Sequence, residues 1–110
     1  MLFRSESLAS GKSFLEAYKA AGYKDGYSAY GAYAYDAANA IIAALKVSLP
    51  NSADAAAARP GTITALANVS FDGVTGKVGF DKYGDATAKV LTVYTVASGK
   101  WVAKATDTAK

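Results

Sequence analysis

Residues 70–85, SFDGVTGKVGFDKYGD, constrain the path of this chain more than any other stretch. Two short apolar strand fragments, at 69–71 and 77–80, flank a turn over Asp72, Gly73 and Gly76. Residues 81–85 then make a second tight turn before another strand run. Glycine supplies the positive-φ positions that such turns require, and aspartate accepts bonds from nearby backbone amides. A chain bent twice within sixteen residues is a connector with a specified path, so the question becomes what it connects.

At 110 residues the chain has room for one domain and not for two of ordinary size. Apolar residues make up 52% and there are only two prolines, the composition of a folded segment and not of a disordered tail. The net charge is +3, and its twelve basic residues are scattered from Arg4 to Lys110. No concentrated basic stripe forms, which argues against a nucleic acid partner. The chain has neither cysteine nor histidine. Disulfides, thiolate nucleophiles, Cys-ligated zinc, imidazole acid–base chemistry and the Ser-His-Asp triad are therefore excluded. These absences point away from an enzyme, with no catalytic residue, metal ligand or cofactor to assign. No window of about 18 apolar residues could span a bilayer. The first six residues lack the charged-then-apolar order of a secretion signal, so an exported parent would place its signal upstream.

The expected order is two helices, a weaker third, then strands. Ser10 or Ser13 could cap a helix running to about Ala21, stopped by Gly22. Gly26 and Ser28 belong to a short connector, and a second helix is expected over 28–46. Residues 51–58 read as a loop entering a short helical turn, with Pro60 in the first turn of a helix carrying Ile63, Leu66 and Ala67. Val90, Thr92, Tyr94 and Val96 lie on a strand that turns at Ser98, Gly99 and Lys100 into Trp101, Val102 and Ala103, a hairpin. From Thr106 onward the tail is polar and expected to fray.

On a 3.6-residue period the second helix presents Tyr30, Ala34, Ala37, Ala38, Ile41 and Leu45 on one apolar face. Tyr33, Ala40 and Ala44 widen it. Asp36, Asn39, Ala43 and Lys46 form a narrow, partly polar stripe. A helix apolar over most of its girth needs neighbours on several sides. Either the chain is part of a larger fold, or it self-associates through this surface. Six of the eight tyrosines, at 18, 23, 27, 30, 33 and 35, fall close together. Two readings stand: the rings pack in the core with hydroxyls at polar edges, or Tyr27 and Tyr30 wall a small-ligand cleft. Asp81 and Asp85 lack the ligand series of a calcium loop, and turn formation accounts for them.

Tyr33 to Ala40 (YAYDAANA), then Phe71 to Gly76 (FDGVTG) with Phe80, Asp81, Gly84 and Asp85, then Val93 to Val96 with Gly99 to Trp101, occur in a definite order. Together they resemble the carboxy-terminal third of the branched-chain amino-acid-binding proteins. These are the periplasmic receptors of bacterial ABC importers, related to the receptor-family ligand-binding region. Phe14 to Lys19 resembles the helix that precedes this block. The resemblance runs from about Phe14 to Val102. It implies an α/β chain with part of a type I periplasmic-binding-protein fold: two or three helices, then strands and a C-terminal β-hairpin. The whole of 1–110 would be one carboxy-terminal fragment of a two-lobe protein.

The resemblance further implies an amino-acid ligand of branched-chain type, held between two lobes of parallel sheet joined by three crossing strands. It points to Tyr27 or Tyr30 as the residue facing the cleft. Residues 70–85 would be the last lobe crossing, with Gly73, Gly76, Asp81 and Gly84 as its hinge positions. The partners implied are the membrane subunits of an ABC importer, and the location is periplasmic or extracellular. The missing lobe would carry most ligand contacts. The competing reading is a free-standing α+β interaction module that dimerises through the Tyr/Ala-rich helix at 28–46.

Overall fold

A computed structural model describes residues 8–28 and 30–108. The readings of the amino-terminal six residues and of Ala29 lie outside these. Among the described residues three helices precede four strands: α1 (Ala9–Ala20), α2 (Gly31–Ser48), a 3-10 turn (Leu49–Asn51), α3 (Ala55–Ala67), β1 (Ser70–Gly73), β2 (Gly76–Gly79), β3 (Val90–Ala97) and β4 (Lys100–Thr108). The strands form two separate antiparallel pairs, β1 with β2 and β3 with β4.

Helix α1 starts one residue before Ser10, and its cap position, Leu8, offers no side-chain bond. Ser10 is not a cap, because its hydroxyl is engaged elsewhere, donating to the Val74 carbonyl at 3.0 Å. Gly22 ends the helix at φ +67°, a conformation a side chain resists. Helix α2 begins at Gly31, not at 28, and runs to Ser48. The Tyr27 ring lies against Gly31, where a Cβ would come within 3.1 Å of it.

Helix α3 corrects the expected start. Asp54 is its cap, accepting from the Ala57 amide at 2.8 Å, and Pro60 lies inside the helix. The proline removes a helical donor and crowds the carbonyl four residues back. That carbonyl belongs to Ala56, an exposed residue near the helix start, where water can bond it. The Asp54 cap offsets part of the loss, a side-chain cap being worth about 1 kcal/mol.

The core is built from small residues. Ala32, Ala40, Ala44 and Ala58 are buried, joined by Asp36 and Ser48. On α2 the buried positions recur every four residues, one stripe of a helix. This overturns the face expected from periodicity: Tyr30 is 79% exposed and Ile41 49%, while Asp36 from the supposed polar stripe is inside. Small side chains let α2 and α3 approach closely. The Ser48 and Thr62 hydroxyls bond at 2.7 Å, and Thr62 also donates to the Ala58 carbonyl. No large side chain is fully buried among the described residues.

The first hairpin turns on Val74 and Thr75, with Gly73 opposite Gly76, so its strands reach further toward the turn than the sequence reading placed them. Gly76 sits at φ +110°. Phe80 bridges Ala86, and the Thr87 amide donates to Gly79, so the second bend folds back on β2. The double bend at 70–85 is therefore present.

The second hairpin turns on Ser98 (φ +51°) and Gly99 (φ +72°). The tail does not fray at Thr106, because β4 pairs through Thr106 opposite Thr92 to Thr108 opposite Val90. Ser98 holds a left-handed conformation that costs an L-residue about 1 kcal/mol. Ser98→Asn, giving the Asn-Gly pair that such turns favour, is expected to stabilise the hairpin by about 0.5 kcal/mol. Thermal unfolding followed by circular dichroism checks it.

Candidate functional site

The connector is fixed to the helices by one carboxylate. Asp36, 4% exposed, projects from α2 onto the β1–β2 turn. Its Oδ1 accepts from the Val74 amide at 2.9 Å, and its Oδ2 from the Thr75 amide at 2.8 Å and the Thr75 hydroxyl at 2.7 Å. Burying a carboxylate is costly unless hydrogen bonds replace its water, and three charge-assisted bonds do so here. Gly73 makes the approach possible, since a Cβ there would stand 2.6 Å from the carboxylate atoms. With Ser10 holding the Val74 carbonyl, α1, α2 and the turn meet at one buried residue.

Two open grooves flank this clamp. The larger, about 1030 Å³, runs between α1, α2, α3 and β1, with Ser13, Asn39, Thr64, Asn68 and Ser70 as polar lining and Val47 and Phe71 as apolar walls. The smaller, about 630 Å³, has aromatic walls of Phe14, Tyr18, Tyr23 and Tyr35. Phe14 is the hub of that wall, with ring centroids 5.1 Å from Tyr35 and 6.1 Å from Tyr18.

Tyr27 packs edge-on against Phe14 and Tyr18, at 5.9 and 6.2 Å. Tyr30 stands at the start of α2 and points to solvent. Neither lines the two grooves, whereas Tyr23 and Tyr35 do. The tyrosines do not pack in a core, because Tyr23, Tyr30, Tyr33 and Tyr35 are all half or more exposed. Tyr18, Tyr27 and Tyr35 instead gather around Phe14, with Tyr23 against Tyr18 and the Tyr18 hydroxyl donating to the Asp25 carbonyl at 3.1 Å.

Gly73 and Gly76 bound the clamped turn, and Asp81 and Gly84 build the next one. Asp81 Oδ1 accepts from the Tyr83 and Asp85 amides, and Gly84 takes φ +89°. The Tyr83 amide, helped by the Asp85 amide and the Lys89 ammonium 3.9 Å away, holds the Asp81 carboxyl below its ordinary value. A depressed carboxyl favours the folded turn above its unfolded value, about pH 3.9, and the benefit disappears as pH falls through the lower folded value. Acidification below about pH 4 is therefore expected to loosen this turn, read as faster exchange of the Asp85 amide relative to Thr87. Among the described residues no cluster of acidic side chains is arranged to hold a metal ion. No described helix is long and apolar enough to cross a membrane.

The model of the receptor family ligand binding region matches residues 8–99. The chain belongs to this family, which is a family of ligand-binding receptors and generally non-enzymatic. The three described helices followed by antiparallel strands are an α/β, partial periplasmic-binding-protein-like fold. No curated protein and no solved structure matches it.

Proposed function

We propose that the chain is the carboxy-terminal segment of an extracytoplasmic solute-binding protein that captures an amino acid of branched-chain type for an ABC importer. The observation that carries this reading is the family match over residues 8–99, joined to a connector anchored at one end by a buried carboxylate. Ligand contacts made to both lobes favour a closed state over an open one, and this needs a crossing segment with defined bending points. Gly73 and Gly76 sit beside the anchor, and Asp81 and Gly84 shape the bend beyond it. Tyr27 and Tyr30 would offer the ligand an aromatic wall, and importer membrane subunits would receive the loaded protein in the periplasm.

Calorimetry with leucine, isoleucine, valine and dissimilar amino acids tests this reading. A complete two-lobe protein containing this chain is expected to bind a branched-chain amino acid clearly, and the 110-residue chain alone to give weak heat or none. Tight binding by the chain alone, or no binding by the complete protein, would overturn it. Tyr30→Ala makes a clean variant because the ring is exposed and its loss leaves folding within about 0.5 kcal/mol. In the complete protein it is expected to weaken the ligand about tenfold, some 1.4 kcal/mol, with unchanged thermal stability.

A further inference from the structure

An aspartate followed by glycine can rearrange its own backbone, and this chain holds two such pairs, Asp25–Gly26 and Asp72–Gly73. The glycine amide nitrogen attacks the carboxyl carbon of the aspartate side chain. A new C–N bond closes a succinimide ring, and the carboxyl hydroxyl leaves with the amide proton as a molecule of water. Water then opens the ring at either carbonyl. Addition at the side-chain carbonyl restores aspartate. Addition at the main-chain carbonyl leaves the chain running through the β-carbon, an isoaspartyl linkage. Glycine permits the reaction because no side chain shields its nitrogen or restricts the rotation.

The fold treats the two pairs differently. Ring closure brings the glycine nitrogen beside the carboxyl carbon, at a backbone angle outside both helix and strand. Asp72 and Gly73 are strand residues paired with Lys77 and Gly76, so their extended backbone holds nitrogen and carboxyl apart. The Asp72 carboxylate also stands 3.5 Å from the Lys77 ammonium. Asn51–Ser52, open to the same chemistry through the asparagine amide, is locked as well. The Asn51 side chain donates to the Val47 carbonyl and the Ser52 amide to the Leu49 carbonyl. Asp25–Gly26 lies between α1 and α2, outside helix and strand, with both residues exposed. Among the described residues neither the Asp25 carboxylate nor the Gly26 amide has a partner. The pair is restrained by the bond from the Tyr18 hydroxyl to the Asp25 carbonyl, 3.1 Å long and exposed.

We propose that Asp25–Gly26 is a site of spontaneous isoaspartyl formation, with the Tyr18 hydroxyl as the latch that sets its rate. Turning the glycine nitrogen toward the carboxyl carbon swings the Asp25 carbonyl, so the Tyr18 bond must break first. An exposed bond between neutral groups has a small net strength, and it slows ring closure without preventing it. The product keeps its charge and gains a methylene group in the main chain between Lys24 and Gly26. That displaces the carbonyl from Tyr18, whose ring packs on Tyr23 and Tyr27, and loosens one side of the aromatic groove.

To test this, the folded 110-residue chain is kept at neutral pH in heavy-oxygen water and digested at intervals with a protease that cuts before aspartate but not before isoaspartate. The expected product is a growing uncut peptide that spans Lys24 and Asp25, ends at Tyr35 and carries heavy oxygen. It is also expected to accept a methyl group from a protein isoaspartyl methyltransferase, while cutting before Asp72 stays complete. In guanidinium, where the strands are gone, both pairs are expected to react. Tyr18→Phe keeps the ring contacts and is expected to speed the reaction at Asp25 about fivefold, with no change at Asp72. Gly26→Ala, whose Cβ meets nothing within 4 Å, is expected to slow it about tenfold. Equal rates at both pairs in the folded chain, or no reaction at Asp25 over a time in which the unfolded chain reacts, overturns the proposal. An unchanged rate in Tyr18→Phe with native circular dichroism overturns the latch.

Discussion

Asp36→Ala is expected to cost about 3 kcal/mol of folding stability, measured by urea denaturation with the slope held constant. The substitution removes the shared acceptor of three donors: the Val74 amide, the Thr75 amide and the Thr75 hydroxyl. A buried donor left without a partner costs about 1–3 kcal/mol. Val74 is 8% exposed, so its amide bears the larger part. Thr75 is half-buried and partly rehydrates, which keeps the total below the sum of three such penalties. Against a domain stability of about 5–15 kcal/mol, a 3 kcal/mol loss is a large fraction. Asp36→Asn is no rescue. Its single carbonyl can replace one oxygen, while its amide group places a donor against a donor, so about 2 kcal/mol is still lost.

The second large effect is expected at Gly73. Its φ is not in the left-handed region, so alanine meets no backbone obstacle there. The obstacle is Asp36, whose carboxylate atoms would lie 2.6 Å from the new Cβ. The carboxylate must rotate away and give up part of its bonding, at about 2 kcal/mol. The two sites are consequently coupled. In an Asp36→Ala background the clash is absent, and Gly73→Ala should cost only a few tenths of a kcal/mol, a coupling of nearly 2 kcal/mol in a double-mutant cycle. Equal costs in both backgrounds would place the role of Gly73 in the strand itself and not in the approach to Asp36.

The double bend at 70–85 was largely legible in the sequence. The bends at 72–76, 81–85 and 98–99 all fall where glycine, aspartate or serine meets a local requirement of the backbone. Such requirements are satisfied within a few residues, as when the Asp81 carboxylate bonds amides two and four positions on. Helix existence was legible for the same reason. The boundaries were not, since α2 starts at Gly31 with no side-chain cap bond and the start of α3 is fixed by the Asp54 cap six residues before Pro60.

The inward face of α2 was hidden in a different way. Hydropathy favours tyrosine, isoleucine and leucine for the interior, yet α2 buries alanines and an aspartate. Large residues face inward only where a neighbour can accept their volume, and α2 and α3 meet through their smallest side chains. The partners that make Asp36 burial tolerable lie 38 and 39 residues away, beyond the reach of any local pattern. The one available signal was a lone carboxylate in an alanine-rich helix, in a chain with a separate glycine-bounded turn waiting for an acceptor. Tyr35 was likewise placed in a groove wall by Phe14, a contact between two helices that neither sequence segment announces.

The clamp between α2 and the connector is tested most directly by amide hydrogen exchange at Val74 and Thr75. Both are turn residues, and exposed turn amides exchange at nearly unprotected rates. Bonding to the Asp36 carboxylate predicts protection close to that of the Ala40 and Ala44 amides inside α2, lost at these two positions in Asp36→Ala while α2 keeps its own. Exchange at Val74 and Thr75 as fast as at the turn amide of Lys82 in the native chain would contradict it.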